Sequence, residues 1–325
     1  MASADGDPVP LLVAAGYCSE VRFLHAFSGE IRRTLALQDY GHVNRLAVSP
    51  GTGGSRHLAV AGNPHLRVFD ADGGGPSAPP LRSFEGHTAN VSAVGFDATG
   101  TWLFSASEDG SMRLWDTRTL KCSLCHEGAG SFDRPAVHAA DLHPNQNELI
   151  GGDAQGKVIV WDLAADKIRR TFIPDEGVPI RSLSVAPDAR TLACANHEGM
   201  CYVWRLGEGV YEAAQKIQSH GAYVLRCLFS PESKHLATAS ADHTTNLWVA
   251  HEDGLAQACT LTGHERWVWD CAFTNDGQYL ATGSSDCTCR LWDVTSRTQR
   301  LEFSGFKKGI LAVAMLDRAS AAGPP

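Results

Sequence analysis

Residues 87–116 read HTANVSAVGFDATGTWLFSASEDGSMRLWD, and this stretch decides the fold. Three strand-length apolar runs are separated by the turn sequences DATG and EDG. Glycine supplies the positive φ that tight turns of this kind require. The stretch therefore predicts strands over 91–96, 102–107 and 111–116, with residues 121–125 as a fourth strand.

The closing Trp-Asp pair of this stretch recurs along the whole chain, with substitutions in some copies. The seven positions are Leu24, Phe69, Trp115, Trp161, Trp204, Trp248 and Trp292, and the intervals between them are 45, 46, 46, 43, 44 and 44 residues. A period near 40–45 residues that ends in Trp-Asp is typical of four-stranded propeller blades. The sequence thus predicts an all-β fold, a seven-bladed WD40 β-propeller.

The phase of the repeat predicts how the ring closes. The first copy has second, third and fourth strands at residues 11–16, 21–26 and 33–37 but lacks an innermost strand, whereas residues 309–316 form an innermost strand with no blade after it. Pairing the C-terminal strand with the N-terminal blade removes an exposed sheet edge. We expect one propeller over residues 11–317, with flexible ends at 1–10 and 318–325.

Composition narrows the functional classes. Of 325 residues, 43% are hydrophobic and 20% are charged, and the net charge is −8, whereas nucleic-acid binding favours a basic surface. No apolar run approaches the ~18 residues of a membrane helix, and no early segment resembles a signal-peptide core. We expect a cytoplasmic protein with reduced cysteines, no nucleic-acid partner, no direct membrane insertion and no obligate homo-oligomer.

Three blades share a set of polar residues in one frame. The sets are His87, Ser107, Asp109, Trp115; His220, Ser240, Asp242, Trp248; and His264, Ser284, Asp286, Trp292. A Ser-His-Asp group could serve a hydrolase, but an enzyme needs one such group, and here it recurs three times. The repetition favours a hydrogen-bonded structural network, so we expect no catalytic residue.

Two cysteine patterns invite a cofactor or metal interpretation. Residues 122–126, Cys-Ser-Leu-Cys-His, match the haem-attachment pattern, but a regular strand would point Cys122 and Cys125 to opposite faces. Cys287 and Cys289 would share a face but supply only two ligands, whereas zinc takes four, or three plus water. We therefore expect no cofactor and no metal.

Residues that flank the start of each innermost strand are expected on the top rim of the channel. The candidate partner-binding residues there are Asn44, His138, Arg181, Tyr223, Trp267, Trp269 and Leu311. Trp and Tyr are frequent in binding hot spots, because they combine a large apolar area with a polar atom. The sequence predicts a docking patch for another protein across blades 5 to 7.

Several segments also resemble one family within the WD40 class. They are residues 14–17 (AAGY) with 21–23, 142–146 (LHPNQ) with 148–150, 152–153, 201–204 (CYVW), 227 with 229–231 and 236–238, and 267–269 (WVW) with 271–273. These segments resemble the lethal-with-Sec-thirteen family, also called G-protein β-subunit-like, whose members are the propeller subunit of target-of-rapamycin (TOR) kinase complexes. Cys18 and Leu24 depart from the Asp and Trp usual in that family.

The resemblance implies a role and a set of partners. By this resemblance, the chain would be a non-catalytic scaffold that binds the C-terminal lobe of the TOR kinase and stabilises it beside other TOR complex subunits. It would thereby support nutrient and growth signalling. The resemblance also implies recruitment to endomembranes through the complex. Two alternatives stay open: a substrate receptor of a cullin-type ubiquitin ligase, suggested by the Trp-Asp-Thr-Arg box at 115–118, and an enzyme that uses the channel as its active site.

Overall fold

The computed structural model describes residues 10–37, 41–51, 56–127, 134–207, 209–251 and 254–317. Within these ranges the secondary structure is entirely β, in strands joined by turns. None of the described residues forms a helix of the length and apolarity needed to cross a membrane. The ends predicted to be flexible, except for Pro10, lie outside the described residues.

The described strands form seven four-stranded sheets, which are the blades. Blades 1 to 3 contain β1 (Leu11–Gly16), β2 (Glu20–His25), β3 (Ile31–Ala36), β4 (Arg45–Val48), β5 (His57–Ala61), β6 (Leu66–Asp70), β7 (Arg82–Phe84), β8 (Val91–Phe96), β9 (Trp102–Ser107), β10 (Ser111–Asp116) and β11 (Lys121–Glu127). Blades 4 and 5 contain β12 (Val137–Leu142), β13 (Glu148–Asp153), β14 (Val158–Asp162), β15 (Lys167–Phe172), β16 (Ile180–Val185), β17 (Thr191–Asn196), β18 (Met200–Gly207) and β19 (Val210–Gln218). Blades 6 and 7 contain β20 (Val224–Phe229), β21 (His235–Ser240), β22 (Thr245–His251), β23 (Gly254–Leu261), β24 (Val268–Phe273), β25 (Tyr279–Ser284), β26 (Cys289–Asp293) and β27 (Thr298–Phe303), and β28 (Ile310–Leu316) returns to blade 1.

The ring closes as the sequence predicts. Strand β28 pairs antiparallel with β1, with Ala15 opposite Ala312 and Leu12 opposite Met315, so blade 1 has the strand order β28-β1-β2-β3. In the other six blades the four strands follow one another in chain order from the channel outwards. The two ends of the propeller are therefore joined by backbone hydrogen bonds, which leave no open edge between blades 1 and 7.

The core lies between neighbouring blades. Trp115 and Trp161 are completely buried against apolar side chains of the adjacent sheets, and Leu24 and Phe69, which replace Trp in blades 1 and 2, are buried as well. Each sheet thus packs on both faces, as expected when strands carry near-continuous apolar runs. This packing makes the propeller a stiff frame for whatever its loops display.

Side chains of the innermost strands also bind the backbone of the next blade. The bonds are Ser92 Oγ to Val137 O (2.6 Å), Asp141 Oδ2 from Val185 N (2.9 Å), Ser182 Oγ from Cys227 N (2.9 Å), Ser184 Oγ from Phe229 N (3.2 Å) and Asp270 Oδ2 from Val313 N (3.0 Å). These bonds satisfy backbone groups that face the channel and tie successive blades together.

The carboxyl of Asp141 gives stability a specific pH dependence. Burial raises the pKa of Asp141 to about 6, although Val185 N–H donates to it. In the unfolded chain the pKa of an aspartate is about 3.9, so between about pH 4 and 6 the folded protein binds a proton that the unfolded chain does not. The stability of the wild type therefore falls as pH rises from about 4 through 6. We expect the Asp141→Asn variant to gain stability relative to the wild type as pH rises from 4 to 7.

Urea unfolding of both proteins across this pH range measures the difference directly. A second carboxyl, Asp188, lies on an exposed turn, and Asp188→Asn serves as the matched control for the change from a carboxyl to an amide. A difference between Asp141→Asn and wild type that stays constant from pH 4 to 7 would contradict the raised pKa.

Candidate partner-binding face

A β-bulge near the start of the innermost strand turns one side chain of most blades into the channel mouth. In six blades the ladder between the first two strands skips one residue, and those residues are Ser92, His138, Arg181, Leu225, Trp269 and Leu311. Bulges of this kind re-aim a side chain at functional sites. In blade 2, Asn44 stands just before β4 and donates from Nδ2 to Val91 O at 3.3 Å.

These seven residues, which we call the mouth ring, surround a pocket of about 170 Å³ at the top of the channel. The pocket is also lined by Tyr17, His42, Arg45, Asn90 and Glu108. Five predicted rim residues, Asn44, His138, Arg181, Trp269 and Leu311, therefore meet at one opening. The other two, Tyr223 and Trp267, lie outside this pocket, in the loops just before β20 and β24.

Tyr223 and Trp267 belong to an aromatic patch that begins at the pocket and runs outward. We define this patch as His197, Tyr223, Trp267 and Trp269. The ring centroids are 4.8 Å apart for His197 and Tyr223, 6.2 Å for Tyr223 and Trp267, and 5.5 Å for Trp267 and Trp269. Tyr223 is 46% exposed and Trp267 is 40% exposed, which is unusual for rings of this size.

The positions of the two tryptophans at the start of β24 explain why both reach the surface. Val268 lies between them and is completely buried in the blade, while the bulge at Trp269 turns its ring to the mouth. Trp269 Nε1 donates to Ser285 Oγ at 2.6 Å, which fixes that ring. The patch therefore combines a held ring with exposed ones, and rigid aromatic area of this kind costs little entropy on binding.

Arg181 places a positive charge at the mouth. Burial lowers the pKa of this guanidinium, but arginine stays protonated at neutral pH. Burial, and then the positive charge of Arg181, lower the pKa of His138 to about 4 and also lower the pKa of His197. Both imidazoles are consequently neutral at pH 7. Glu108, on the exposed side of the pocket, supplies the opposite charge.

A buried ion cluster lies below the pocket. The Asp270 carboxylate accepts a hydrogen bond from Arg45 Nη1 at 2.8 Å and lies 3.2 Å from Arg226 Nε. It also accepts the backbone N–H groups of Cys271 and Val313, each at 3.0 Å. One carboxylate therefore joins the innermost strands of blades 7, 2, 6 and 1.

The other end of the channel holds a larger cavity of about 1250 Å³. It is lined by the later residues of the innermost strands, such as Phe229, Phe273 and Met315, and by Arg56 with its partner Asp72. Those aromatic rings are buried. The top face is the better candidate for a partner, because exposed aromatic rings and a charged residue meet there.

Each predicted His-Asp-Trp group is joined by a hydroxyl that the sequence analysis missed. In blade 3, His87 Nδ1 lies 2.8 Å from Asp109 Oδ2, and His87 Nε2 lies 2.7 Å from the hydroxyl of Ser105. Trp115 Nε1 donates to that same hydroxyl at 2.8 Å. Thr238 and Thr282 fill the place of Ser105 in blades 6 and 7.

The predicted serines have a different role, because they stand two residues further along the strand. Their hydroxyls, in Ser107, Ser240 and Ser284, accept the backbone N–H of Asp109, Asp242 and Asp286 at 3.1–3.2 Å. They therefore hold the turn and do not bond the imidazole. The available signal was alternation: residues two apart face the same side of a strand, so a hydroxyl at 105, 238 or 282 shares that face.

These networks hold their carboxylates ionised. Burial opposes ionisation of Asp109, but hydrogen bonds from His87 and Ser111 outweigh it and keep the pKa of the carboxyl below its usual range. Asp242 and Asp286 are held in the same way by His220 with Thr244 and by His264 with Thr288. Their polar atoms are thus bonded within each blade, as a structural network requires.

The Trp-Asp-Thr-Arg box has its arginine occupied locally. Arg118 Nε and Nη2 each lie 3.0 Å from an oxygen of Asp116, although most of the Arg118 side chain is exposed. Hydrogen bonds from the Arg118 side chain and backbone lower the pKa of Asp116 to about 2. The two-pronged pairing of Arg118 with Asp116 stabilises the turn that follows β10.

The cysteine patterns differ from expectation at one point. The prediction that Cys122 and Cys125 face opposite sides is wrong, because β11 contains a bulge: Cys122 lies opposite Trp115 and Cys125 opposite Arg113. Trp115 and Arg113 are two residues apart and share a face, so both cysteines share it too. Among the described residues, no group of three or more His, Cys, Asp or Glu side chains is arranged to hold a metal.

Comparison with known proteins identifies a family model and several relatives that match the chain. The WD domain, G-beta repeat, model matches residues 78–116, 212–249 and 256–293. The chain is 41% identical over 224 residues, 68% of either protein, to the target of rapamycin complex subunit wat1 of Schizosaccharomyces pombe. It is 40% identical to subunit LST8-1 of Arabidopsis thaliana over 69% of the chain and 71% of that protein. It is 41% identical, over 70% of each, to a protein of the same plant called the non-functional target of rapamycin complex subunit LST8-2.

Proposed function

The chain belongs to the LST8 family of target of rapamycin complex subunits, and on that premise we propose that it binds and stabilises the kinase domain of a TOR kinase as a non-catalytic scaffold. The observation that carries the proposal is the similarity to TOR complex subunits along more than two thirds of the chain. The aromatic patch supplies a surface with the chemistry of a protein-binding site.

Binding would work through rigidity. The ring is closed, its innermost strands are cross-linked by side chains, and six of the seven residues of the mouth ring are set by bulges in the sheet. A preformed surface loses little conformational entropy when a partner docks, so more of the contact energy is retained as affinity. A lobe held against such a surface is stabilised by mass action, because the propeller would bind only its folded form.

The His-Asp-hydroxyl-Trp networks support a non-catalytic role. Each imidazole has both nitrogens engaged within the blade, by a carboxylate on one side and a hydroxyl on the other. A general base needs a free nitrogen within reach of its substrate.

We further propose that the protein is cytoplasmic and reaches endomembranes through its complex.

Capture from cells of the source organism tests the proposal. We expect the tagged full-length chain to retain a very large TOR kinase, identified by mass spectrometry, and an Arg118→Ala variant to retain it equally. Because one relative at 41% identity carries the name non-functional, sequence identity does not replace this measurement. Absence of the kinase would overturn the proposal, and loss of a cullin adaptor with Arg118→Ala would favour the ubiquitin-ligase alternative.

A further inference from the structure

The outer strand of blade 3 brings two thiols together at its surface. The ladder between β10 and β11 skips Ser123, so Cys122 and Cys125 occupy successive rows on one face of the sheet. The same irregularity occurs opposite the Trp position in the other blades whose outer strands show a register shift, at Leu24, Trp161, Trp204, Trp248 and Trp292. This bulge in the outer strand is therefore part of the repeat. Among these blades, only blade 3 has cysteines both before and after the skipped residue.

Arg113 lies on the same face of the sheet as both cysteines. Arg113 stands directly opposite Cys125, and it shares the face of the sheet on which Cys122 lies. It passes over Gly86, where a Cβ would come within 2.5 Å of Nη1, and its Nε donates to Ser111 Oγ at 3.3 Å. Within the described residues no carboxylate forms an ion pair with Arg113. Its positive charge is thus available to a thiolate.

The two thiols are electrically unequal. The neighbouring Cys125 thiol lowers the pKa of Cys122 to about 7, against the effect of burial, and the positive charge of Arg113 lowers it further. The neighbouring Cys122 sulfur, burial and the negative charge of Glu127 raise the pKa of Cys125. As a thiol, Cys122 donates to Leu124 O at 3.2 Å, and it gives up this bond on ionisation.

The remaining cysteines offer an internal comparison. Burial raises the pKa of Cys194, Cys201, Cys227, Cys271 and Cys289, all of which lie in the core. Cys125 is exposed and Cys122 is half-buried on an outer strand, so reagents reach this pair without unfolding. A low-pKa, accessible thiol beside a second thiol is the arrangement of oxidisable cysteines.

We propose that Cys122 and Cys125 form a redox modification site, in which a peroxide converts the pair to an intramolecular disulfide. The Cys122 thiolate attacks the peroxide, the O–O bond breaks, and sulfenic acid and hydroxide (or an alkoxide) form. The Cys125 sulfur then attacks the sulfenic sulfur, an S–S bond forms, and the hydroxyl leaves as water with the thiol proton. Two thiols are oxidised and one peroxide is reduced.

The first test measures which thiol reacts. The native full-length protein is alkylated with iodoacetamide at pH 7, and each cysteine is quantified by peptide mass spectrometry. We expect Cys122 to react fastest and Arg113→Gln to slow it roughly three- to tenfold, since a lost thiolate fraction is partly offset by higher nucleophilicity. Half-buried Cys18 and Cys287 are the controls, and equal rates for all three would overturn the proposal.

The second test follows the product. Hydrogen peroxide is added to the reduced protein, which is then digested without reductant. We expect a Cys122–Cys125 disulfide in the wild type, and in Cys125→Ser a sulfenic acid at Cys122 that dimedone traps. Unchanged circular dichroism verifies that each variant is folded. Irreversible oxidation of Cys122 without any disulfide in the wild type would contradict the pairing, whatever the outcome of the kinase capture.

Discussion

Replacing Asp270 by Ala is expected to lower the free energy of unfolding by about 3–5 kcal/mol, because the change leaves two largely buried guanidinium groups without their shared carboxylate. Arg45 and Arg226 both depend on this side chain, and the Asp270 side chain is only 2% exposed. The backbone N–H groups of Cys271 and Val313 lose their acceptor as well. Since Val313 belongs to β28, the damage reaches the strand that closes the ring.

Urea unfolding followed by tryptophan fluorescence measures this effect, or the unfolding rate does if unfolding is irreversible. Glu30→Ala is the matched control, because it removes an ion pair in which both side chains are at least half exposed, and such pairs contribute about 0–1 kcal/mol. Replacing Asp270, Arg45 and Arg226 together by apolar residues should recover much of the loss. A loss below about 1 kcal/mol for Asp270→Ala would show that the cluster does not hold the inner strands.

The architecture could be predicted from the sequence because the same pattern of apolar strands and turn residues recurs in the blades. The spacing of the Trp positions gives the blade number, and an unpaired strand at each end gives the closure. Even blade 1, with Leu24 in the Trp position, follows the frame, because a buried apolar side chain is all that the interface between blades needs. Local patterning and global fold agree here, which is why the prediction succeeds.

The details that escaped prediction depend on register or on distant contacts. A bulge shifts every later side chain by one position, so the shared face of Cys122 and Cys125 required the ladder itself. The ion cluster joins Arg45 to Asp270 across 225 residues, and nothing in either local sequence marks the other as its partner. The rim positions could be predicted from the repeat. Their convergence on one pocket depends on bulges in the strands, which no sequence pattern predicted.

The pair of substitutions Trp267→Ala and Trp269→Ala is expected to weaken binding of the TOR kinase by about 2 kcal/mol or more, roughly 30-fold or more in affinity. The two rings and Tyr223 are in contact, so one partner surface would cover all of them. Burying that area on a partner of ordinary interface size, about 1,600 Å² in total, would exclude water from the centre of the contact. Truncation to Ala therefore removes both the apolar area and the rigid support.

Quantitative capture of the kinase by wild type and double variant measures the loss, and melting curves verify that the variant is folded. Ile168→Ala is the matched control, because Ile168 is a similarly exposed apolar residue on the outer strand of blade 4, away from the channel mouth. Ser285→Ala should have a smaller effect than the double variant, since it only releases the Trp269 ring from its hydrogen bond. Normal capture by a folded double variant would exclude the aromatic patch as the docking site while leaving the family assignment intact, because the similarity to TOR complex subunits extends over more than two thirds of the chain and does not depend on this patch.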